Sequence, residues 1–356
     1  MTKERIHYFD LAKGIGIILV VLGHLEFISM PLRYFIVSFH MPMFFIISGM
    51  LIQITCEESK DRKEIVKRKF KRMMIPYISF SILYFFIEII YFKLTGLSSW
   101  ETIFDNLYQS VCLHGVSVLW FLPAIFFGEI MFLFIRKRFS HTATVSIVFF
   151  LSMIMYFANN GEKCLYALYA ETPIYSHLHY LIVMVIRCFF SMAFICIGYY
   201  LYYLIKDRKT SSPWELLLGI AFMGITVYLS QVNGGVDLHF LVFSNVFLYL
   251  ATSVLGSMGV ILICRSLERF SHSIPCRIIE YYGVNSLIVM ATHINSYVLY
   301  FCIIVSMHFN KYITHAKNYI FCTNIMILVF ISEFFVIEII NRFFPFFVGK
   351  PMIKRK

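Results

Sequence analysis

Long runs of apolar residues alternate along the chain with short polar segments that are rich in Lys and Arg. A helix of about 20 apolar residues crosses the hydrocarbon core of a bilayer. The pattern therefore predicts an all-α fold, a polytopic transmembrane helical bundle of about ten spans. The ninth span is long enough to be tilted or broken. The spans are expected near residues 8–29, 33–55, 75–94, 118–135, 142–158, 180–205, 214–231, 238–264, 278–306 and 320–341.

The composition excludes an ordinary soluble protein. Hydrophobic residues make up 60% of the 356 residues and charged residues only 14%, whereas soluble domains carry about 25% charged residues. The net charge of +11 does not indicate nucleic acid as a partner, because surplus Lys and Arg collect in the cytoplasmic loops of membrane proteins. Membrane lipid is the expected surrounding of the chain.

The distribution of cations predicts the orientation of the spans. With the N-terminus in the cytoplasm, the inner segments hold "KDRKEIVKRKFKR" at 60–72, "RKR" at 136–138 and the final "KPMIKRK". The outer segments then hold far fewer cations, which is the bias expected of ten spans with both termini in the cytoplasm. Residues 1–345 are thus predicted to form one integral-membrane domain, and residues 346–356 a basic cytoplasmic tail.

Nine cysteines show neither a CxxC pair nor a Cys/His spacing typical of a metal site, so no metal is expected. Most of them lie inside apolar runs, where a free thiol packs as a small hydrophobic group. Cys112 and Cys164 fall in the two largest predicted outer loops. A disulfide between them and two free thiols are both compatible with the sequence.

The first span, "YFDLAKGIGIILVVLGH", carries three polar residues. On a helical wheel of about 100° per residue, Lys13 and His24 lie within about 20° of each other, and Asp10 lies about 40° to 60° from both. The three side chains share one stripe, with Lys13 near the cytoplasmic end and His24 roughly 16 Å further along the axis. Asp10 is explained equally well by a structural role, as a helix cap or an ion-pair partner of Lys13, and by a functional role as a substrate-binding residue.

The second span places His40 two turns in from its outer end, at a depth similar to that of His24 across a short hairpin. Pro42 indicates a kink, because it frees a backbone carbonyl within the span. A single intramembrane histidine often only hydrogen-bonds a neighbouring helix. Two histidines at one depth, with Asp10 and Lys13 on the same stripe, instead favour a polar cavity. Neutral imidazole also accepts a proton near pH 7.

Four more charged residues fall within the apolar runs. Glu88 and Arg187 are predicted at similar depth in the outer half of the membrane, where a structural ion pair is expected. Glu129 and Glu333 fall in the inner half and are assigned no role.

Five segments resemble, in order, the motifs of the membrane-bound acyltransferase 3 family. The opening "RIHYFDLAKGIGIILVVLGH" has a basic residue followed eleven positions later by histidine. The resemblance covers essentially the whole chain and agrees with ten spans. The other segments are similar to the second-span signature ("FIVSFHMPMFFIISGMLI"), the basic segment before the third span ("KRKFKRMMIPY"), the fourth-span signature ("LWFLPAIFF") and a late element ("YYGVNSLIVMATH").

The resemblance implies an integral-membrane O-acyltransferase that moves an acyl group, most often acetyl, from acyl-CoA to a hydroxyl group. It implies acetyl-CoA as donor, a cell-envelope carbohydrate or lipid-linked glycan as acceptor, and the bacterial cytoplasmic membrane as location. His24 is then expected to act as general base. His40 or Asn285 is expected to orient the acceptor or stabilise the oxyanion. An acyl-imidazole on His24 is a variant of this mechanism.

The resemblance also implies that Lys13, Lys69 and Arg72, at the inner ends of spans one and three, bind the donor's phosphates. The family's usual arginine is replaced by Lys13, which keeps the charge and loses the planar fork. The basic pair of the third-span motif fits Lys69 with Arg72, or Arg68 with Lys71. A patch that only sets topology and touches anionic lipid explains the same cluster.

His293 closes the late motif, seven residues after Ser286, and the two share a helix face within about 20°. The motif match favours a place for His293 on the cavity wall over a packing role. Ser286 lacks the G-x-S-x-G turn that surrounds a serine nucleophile.

Two functions are therefore carried forward. The first is the O-acetyltransferase. The second is a transporter or flippase for an envelope precursor, in which the same polar stripe binds the translocated solute. The second function is disfavoured because the sequence shows no paired inverted halves. Nothing in the sequence assigns an oligomeric state.

Overall fold

The computed structural model describes residues 6–169, 173–206, 212–294, 297–310 and 318–350. These residues form helices joined by loops and by short 3-10 or π segments, without a β-strand, so the all-α prediction is confirmed. The helices are α1 (His7–Gly23), α2 (Met30–Val37), α3 (His40–Ile54), α4 (Arg62–Lys69), α5 (Ile75–Thr95), α6 (Trp100–Val111), α7 (Phe121–Arg136), α8 (His141–Tyr169), α9 (Pro173–Ile205), α10 (Pro213–Asn233), α11 (Val246–Leu267), α12 (Ile274–Val284), α13 (Ser286–Thr292), α14 (Val298–Asn310) and α15 (Asn318–Phe343).

Eight helical segments in the described part of the chain are long and apolar enough to cross a membrane, so the protein is a multi-pass membrane protein. Helix α1, with 17 residues, is shorter than these, and the ten-span count and the cytoplasmic termini stay predictions. The eight segments are Met30–Ile54, Arg62–Thr95, Ser117–Arg136, His141–Tyr166, Leu178–Ile205, Pro213–Asn233, Val246–Phe270 and Tyr319–Phe343.

The division into a membrane domain at 1–345 and a basic tail at 346–356 also stays a prediction. Residues Pro345–Val348 form a 3-10 helix, and the ring of Phe347 contacts that of Phe80 on α5, with 5.6 Å between centroids. The first part of the predicted tail therefore packs on a membrane helix, while residues 351–356 lie outside the described chain.

The ninth predicted span is broken, as its length suggested. Helix α12 ends at Val284, α13 begins at Ser286, and the chain leaves helical geometry again at His293 before α14. At the first break the side chain of Asn285 donates from Nδ2 to the Tyr281 carbonyl at 2.9 Å. A side-chain partner of this kind lets a helix be interrupted at membrane depth, because the freed backbone groups stay hydrogen-bonded.

The helices belong to two compact units. The first unit comprises Met1–Ile47, Tyr203–His293 and Tyr297–Ile337, and it contains α1, α2, α10, α11, α12, α13 and α14 with most of α15. The second unit comprises Ser48–Tyr202, Ile294–Ser296 and Glu338–Lys356, and it contains α4 to α8 with most of α9.

Two glycines bring α1 and α12 together within the first unit. A Cβ on Gly14 would lie 2.1 Å from the carbonyl oxygen of Ile279, and a Cβ on Gly283 would lie 1.8 Å from the carbonyl oxygen of Asp10. Backbone cannot rotate away as a side chain can, so neither position accepts a larger residue in this packing. Small residues at such contacts are the usual means by which membrane helices approach closely.

Glycines also allow close contacts between helices in the second unit. A Cβ on Gly49 of α3 would lie 2.0 Å from the Ile195 carbonyl oxygen of α9, and a Cβ on Gly128 of α7 would lie 1.9 Å from the Ser191 hydroxyl of α9. That hydroxyl donates to the Ala124 carbonyl of α7 at 2.7 Å. Close backbone approach and an interhelical hydrogen bond thus hold α7 to α9.

The expected ion pair between Glu88 and Arg187 is wrong. The Glu88 carboxylate accepts from Asn106 Nδ2, at 2.8 and 3.0 Å, because the short loop after α5 returns α6 alongside it. Arg187 donates to the His114 carbonyl at 3.0 Å and lies 5.2 Å from the centroid of the Trp120 ring. Burial and the Arg187 cation lower the pKa of His114 to about 3, so this imidazole is neutral beside the guanidinium.

The two cysteines of the predicted outer loops are both free thiols. Cys112 caps the end of α6 and is buried, whereas Cys164 is exposed on α8. The disulfide that the sequence left open is therefore not formed in this structure.

We expect Gly283→Ala to lower the melting temperature of the purified protein in detergent. The added methyl group would overlap the Asp10 carbonyl, and overpacking of this kind costs about 1–3 kcal/mol or more. The matched control is Gly224→Ala on α10, where a Cβ meets nothing within 4 Å and the helix propensity improves by about 1 kcal/mol. Equal melting temperatures for the two variants would contradict the packing of α1 on α12.

Candidate active site

His24 and His293 meet at the ends of two helices of the first unit. His24 directly follows α1 and His293 directly follows α13, and their ring centroids lie 5.3 Å apart with the ring planes inclined by 48°. His24 is exposed, whereas His293 is completely buried. The structure thus places the imidazole of His24 at the surface of the first unit and the buried imidazole of His293 next to it.

His40 and His293 are anchored in the same way. Nδ1 of His40 lies 2.8 Å from the Ile36 carbonyl oxygen, and Nδ1 of His293 lies 2.7 Å from the Val289 carbonyl oxygen. A carbonyl only accepts hydrogen bonds, so in both rings Nδ1 carries the hydrogen and Nε2 presents its lone pair. Within the described residues, Nε2 of His293 has no hydrogen-bond partner although it is buried. His40 is buried.

Asp10 and Lys13 form an ion pair within α1, with 2.5 Å between Oδ1 and Nζ. Asp10 is buried and Lys13 is half-buried. The pair lies beside α12, because Gly283 approaches the backbone of Asp10. The structure therefore agrees with the ion-pair interpretation of Asp10, while substrate binding by Asp10 and phosphate binding by Lys13 stay predictions.

Asn285 ends one helix and begins the next. Its side chain is buried and donates to the Tyr281 carbonyl, and its own carbonyl accepts from the backbone N–H groups of Ile288 and Val289 at 2.9 and 3.2 Å. These bonds fix the direction of α13, which carries His293 at its end. Contact between Asn285 and an acceptor or oxyanion stays a prediction.

Lys69, in the second unit, is buried between two carboxylates. Its Nζ lies 2.6 Å from Glu129 Oε2 and 2.7 Å from Glu57 Oε2, and the Lys69 side chain is only 6% exposed. Arg68 binds the other oxygen of Glu57 at 2.5 Å, and the Ser48 hydroxyl donates to Glu129. The charge of Lys69 is thus neutralised inside the unit, in an ion-pair network and not in an open phosphate site.

Arg72 has different surroundings from Lys69, three residues before it. Arg72 and Lys71 lie in the π-helical segment Phe70–Met74, between α4 and α5, and both are exposed. Neither side chain forms an ion pair with another residue in the described part of the chain. Of the two cations in the motif, only Arg72 is open to a ligand, and its binding of the donor stays a prediction.

The sequence interpretation missed two carboxylates that hold polar groups in place. Glu129 binds Lys69. Glu333 on α15 is fully buried, and its Oε2 is hydrogen-bonded to the hydroxyl of Thr292, next to His293, at 2.7 Å. Helical spacing could not reveal either contact, because the partners lie far apart in sequence. The available signal was the acid itself, since a carboxyl group inside an apolar run is costly and needs a partner.

The membrane helices define a multi-pass membrane protein, and within its first unit the rings of His24 and His293 lie in contact. Over residues 6–338 the chain matches the family model described as an acyltransferase domain, and it therefore belongs to the acyltransferase 3 family. The protein is thus a membrane acyltransferase. This class favours acyl transfer over the transporter or flippase function that the sequence also allowed. No curated protein and no solved structure matches the chain.

We expect Lys69→Met to lower the free energy of unfolding by about 3–5 kcal/mol, because it leaves Glu57 and Glu129 buried without their shared cation. Unfolding in a denaturing detergent, followed by intrinsic fluorescence, measures this change. Lys71→Met is the control, because Lys71 is a lysine of the same segment with an exposed side chain. If both variants unfold at the same detergent concentration, the ion-pair network around Lys69 does not stabilise the protein.

Proposed function

We propose that the protein transfers an acetyl group from acetyl-CoA to a hydroxyl of a cell-envelope carbohydrate or lipid-linked sugar, in the bacterial cytoplasmic membrane. The observation that carries this proposal is the exposed imidazole of His24 with the buried imidazole of His293 behind it. Transfer to a hydroxyl requires a base that removes the hydroxyl proton, and imidazole does so near neutral pH.

His24 is the proposed general base. It takes the proton of the acceptor hydroxyl as that oxygen attacks the carbonyl carbon of the thioester. The C–O bond forms, the C–S bond breaks, and the proton passes from His24 to the departing sulfur of CoA. The products are an acetyl ester on the acceptor and free CoA thiol, and no metal takes part.

His293 is proposed to position His24. Its Nδ1 is held by the Val289 carbonyl, so the neutral ring can only accept a hydrogen bond at Nε2. In the proposed arrangement the single N–H of the neutral His24 ring, whose centroid lies 5.3 Å from that of His293, donates to this Nε2, and the other nitrogen of His24 keeps its lone pair for the acceptor. A carboxylate plays the same orienting role behind the histidine of a catalytic triad.

His40 and Asn285 have separate proposed roles. With its Nδ1 bound to the Ile36 carbonyl, His40 offers Nε2 as a hydrogen-bond acceptor, which suits an acceptor hydroxyl and does not suit an oxyanion. Asn285 carries the amide N–H groups that an oxyanion needs. For the donor's phosphates, Arg72 is the exposed cation of the predicted set. Lys13 and Lys69 are paired with carboxylates and would have to exchange these partners to bind the donor.

The test is acetyl transfer by the purified protein in lipid nanodiscs, with labelled acetyl-CoA and an extract of envelope glycans. His24→Ala is expected to lower acetyl transfer, and the release of CoA thiol, by about 100-fold or more, because general-base catalysis contributes about 10²- to 10⁴-fold. His272→Ala, at an exposed histidine of the first unit, is expected to behave as wild type. Transfer by His24→Ala at the wild-type rate, or solute movement by the wild type without CoA release, would refute the proposal.

A second test separates positioning from substrate binding. His293→Ala is expected to lower kcat about 10-fold or more while the KM for acetyl-CoA stays within about 2-fold, because His293 is buried behind the base and its loss removes an interaction of the transition state. The pH profile of kcat/KM should also shift, because the apparent pKa of the base depends on its hydrogen-bond acceptor. A purely structural role would instead lower the amount of folded protein and leave the pH profile of the remainder unchanged.

A further inference from the structure

Glu333 lies on α15, inside the first unit, and the acyl-transfer chemistry described above gives it no role. Its side chain is completely buried. The carboxyl oxygen Oε2 lies 2.7 Å from the hydroxyl oxygen of Thr292, the last residue of α13. The other oxygen, Oε1, is buried without a hydrogen-bond partner among the described residues. An acid in these surroundings requires an explanation, because a polar group inside a membrane bundle is costly.

Other buried acids of the chain are paired with cations. Lys69 binds Glu129, and Nε of Arg265 lies 3.2 Å from Oε2 of Glu215. Glu333 forms no ion pair within the part of the chain that the structure describes. An ionised carboxylate that is buried without a cation is far more costly than a neutral carboxyl group. The surroundings of Glu333 therefore favour the protonated acid.

The hydroxyl of Thr292 gives a second reason for a protonated acid. Its oxygen lies 2.8 Å from the carbonyl oxygen of Ile288 as well as 2.7 Å from Oε2 of Glu333. A hydroxyl carries one hydrogen and can accept another, whereas a backbone carbonyl only accepts. If Thr292 donates to Ile288, its contact with Glu333 needs a hydrogen from the acid. Protonated Glu333 then donates to Thr292, Thr292 donates to Ile288, and each hydrogen has an acceptor.

The titratable groups that contact this part of α15 are uncharged near neutral pH. The hydroxyl of Tyr282 donates to the Phe330 carbonyl at 2.7 Å, one turn before Glu333. Sγ of Cys302 lies 3.8 Å from the hydroxyl of Ser332. Tyrosine and cysteine are ordinarily neutral at pH 7, so neither supplies a positive charge that would stabilise a carboxylate on Glu333.

Thr292 connects this acid to the imidazole pair. Helix α13 has only seven residues, with a break before it and the end of helical geometry after it. A helix this short has little stability of its own. Nδ1 of His293 donates to the Val289 carbonyl in the same last turn to which Thr292 belongs. A bond from α15 to Thr292 therefore fixes the turn that carries the His293 ring.

We infer that Glu333 is a neutral carboxylic acid that fixes the end of α13 and so positions His293 beside His24, an inference that rests on the proposed function. Glu333 is a positioning residue, because it acts on the reacting groups only through Thr292 and His293. Its role requires a hydrogen-bond donor and no charge. Glutamine can therefore replace it, whereas an apolar residue cannot.

Infrared spectroscopy of the full chain in lipid nanodiscs at pH 7 tests the protonation of Glu333. The difference between wild type and Glu333→Gln should contain the C=O stretching band of a protonated carboxyl group. Glu338→Gln is the matched control, because Glu338 is an exposed glutamate of the same helix, and its difference spectrum should lack this band. The inference is overturned if Glu333→Gln instead removes a carboxylate band, or if it changes neither band.

The kinetics of acetyl transfer test the positioning role. Glu333→Gln is expected to keep kcat within about 3-fold of wild type, because the amide N–H can donate to Thr292 in place of the acid. Glu333→Leu and Thr292→Val are expected to lower kcat about 10-fold, with the KM for acetyl-CoA within about 2-fold, because they remove the bond. Both should also shift the pH profile of kcat/KM. Thr292→Ser keeps the hydroxyl and should behave as wild type.

The outcomes separate this inference from the proposed function. If Glu333→Gln is as slow as Glu333→Leu, a charge is required and the inference is wrong. If the wild type turns over acetyl-CoA and neither Glu333→Leu nor Thr292→Val changes kcat, only the role of Glu333 is refuted. If the wild type releases no thiol from acetyl-CoA, the proposed function itself fails, and the infrared spectrum still decides whether Glu333 is neutral.

Discussion

The contact of α1 with α12 is the interaction on which the candidate active site depends. Gly14 and Gly283 let the two backbones touch, and no side chain separates them. Because α13 continues the chain from α12 after a single break, the end of α1 and the end of α13 come to the same place. His24 and His293 are the residues at those two ends. Their rings therefore meet because the backbones of α1 and α12 pack together at Gly14 and Gly283.

His40 and His293 each donate from Nδ1 to the carbonyl four residues earlier. These two bonds determine which ring nitrogen can accept a hydrogen bond. A histidine with free rotation would present either nitrogen to a substrate. Here the hydrogen on Nδ1 is already used, and the bond leaves Nε2 as an acceptor. Among the residues that the structure describes, Nε2 of His293 is buried without a hydrogen-bond partner. An unmet hydrogen bond of this kind is costly, and a ligand or a neighbouring ring can satisfy it.

Much of the architecture could be predicted from the sequence, because membrane-spanning helices can be recognised by their length and hydrophobicity. The pairing of Asp10 with Lys13 followed from helical spacing, and the break in the ninth span from its length. The contact of His24 with His293 could not be predicted from the sequence, because it depends on how α12 and α13 pack. The ion pair between Glu88 and Arg187 was wrong for a related reason: similar depth does not make two residues face each other, and Asn106 on the next helix was closer to Glu88.

The basic motif before α5 shows why spacing alone misassigns cations. In a regular α-helix, residues 69 and 72 would lie about 60° apart and face the same surroundings. The π-helical segment spans Phe70–Met74, so Arg72 lies within a wider turn and does not face the direction that regular α-helical spacing would give it. Lys69 consequently points inward to Glu57 and Glu129, while Arg72 points outward beside Lys71. The two basic positions of one motif therefore have different surroundings. Lys69 is an internal cation that ties the end of α4 to Glu129 on α7, whereas Arg72 is exposed and forms no ion pair with the described residues.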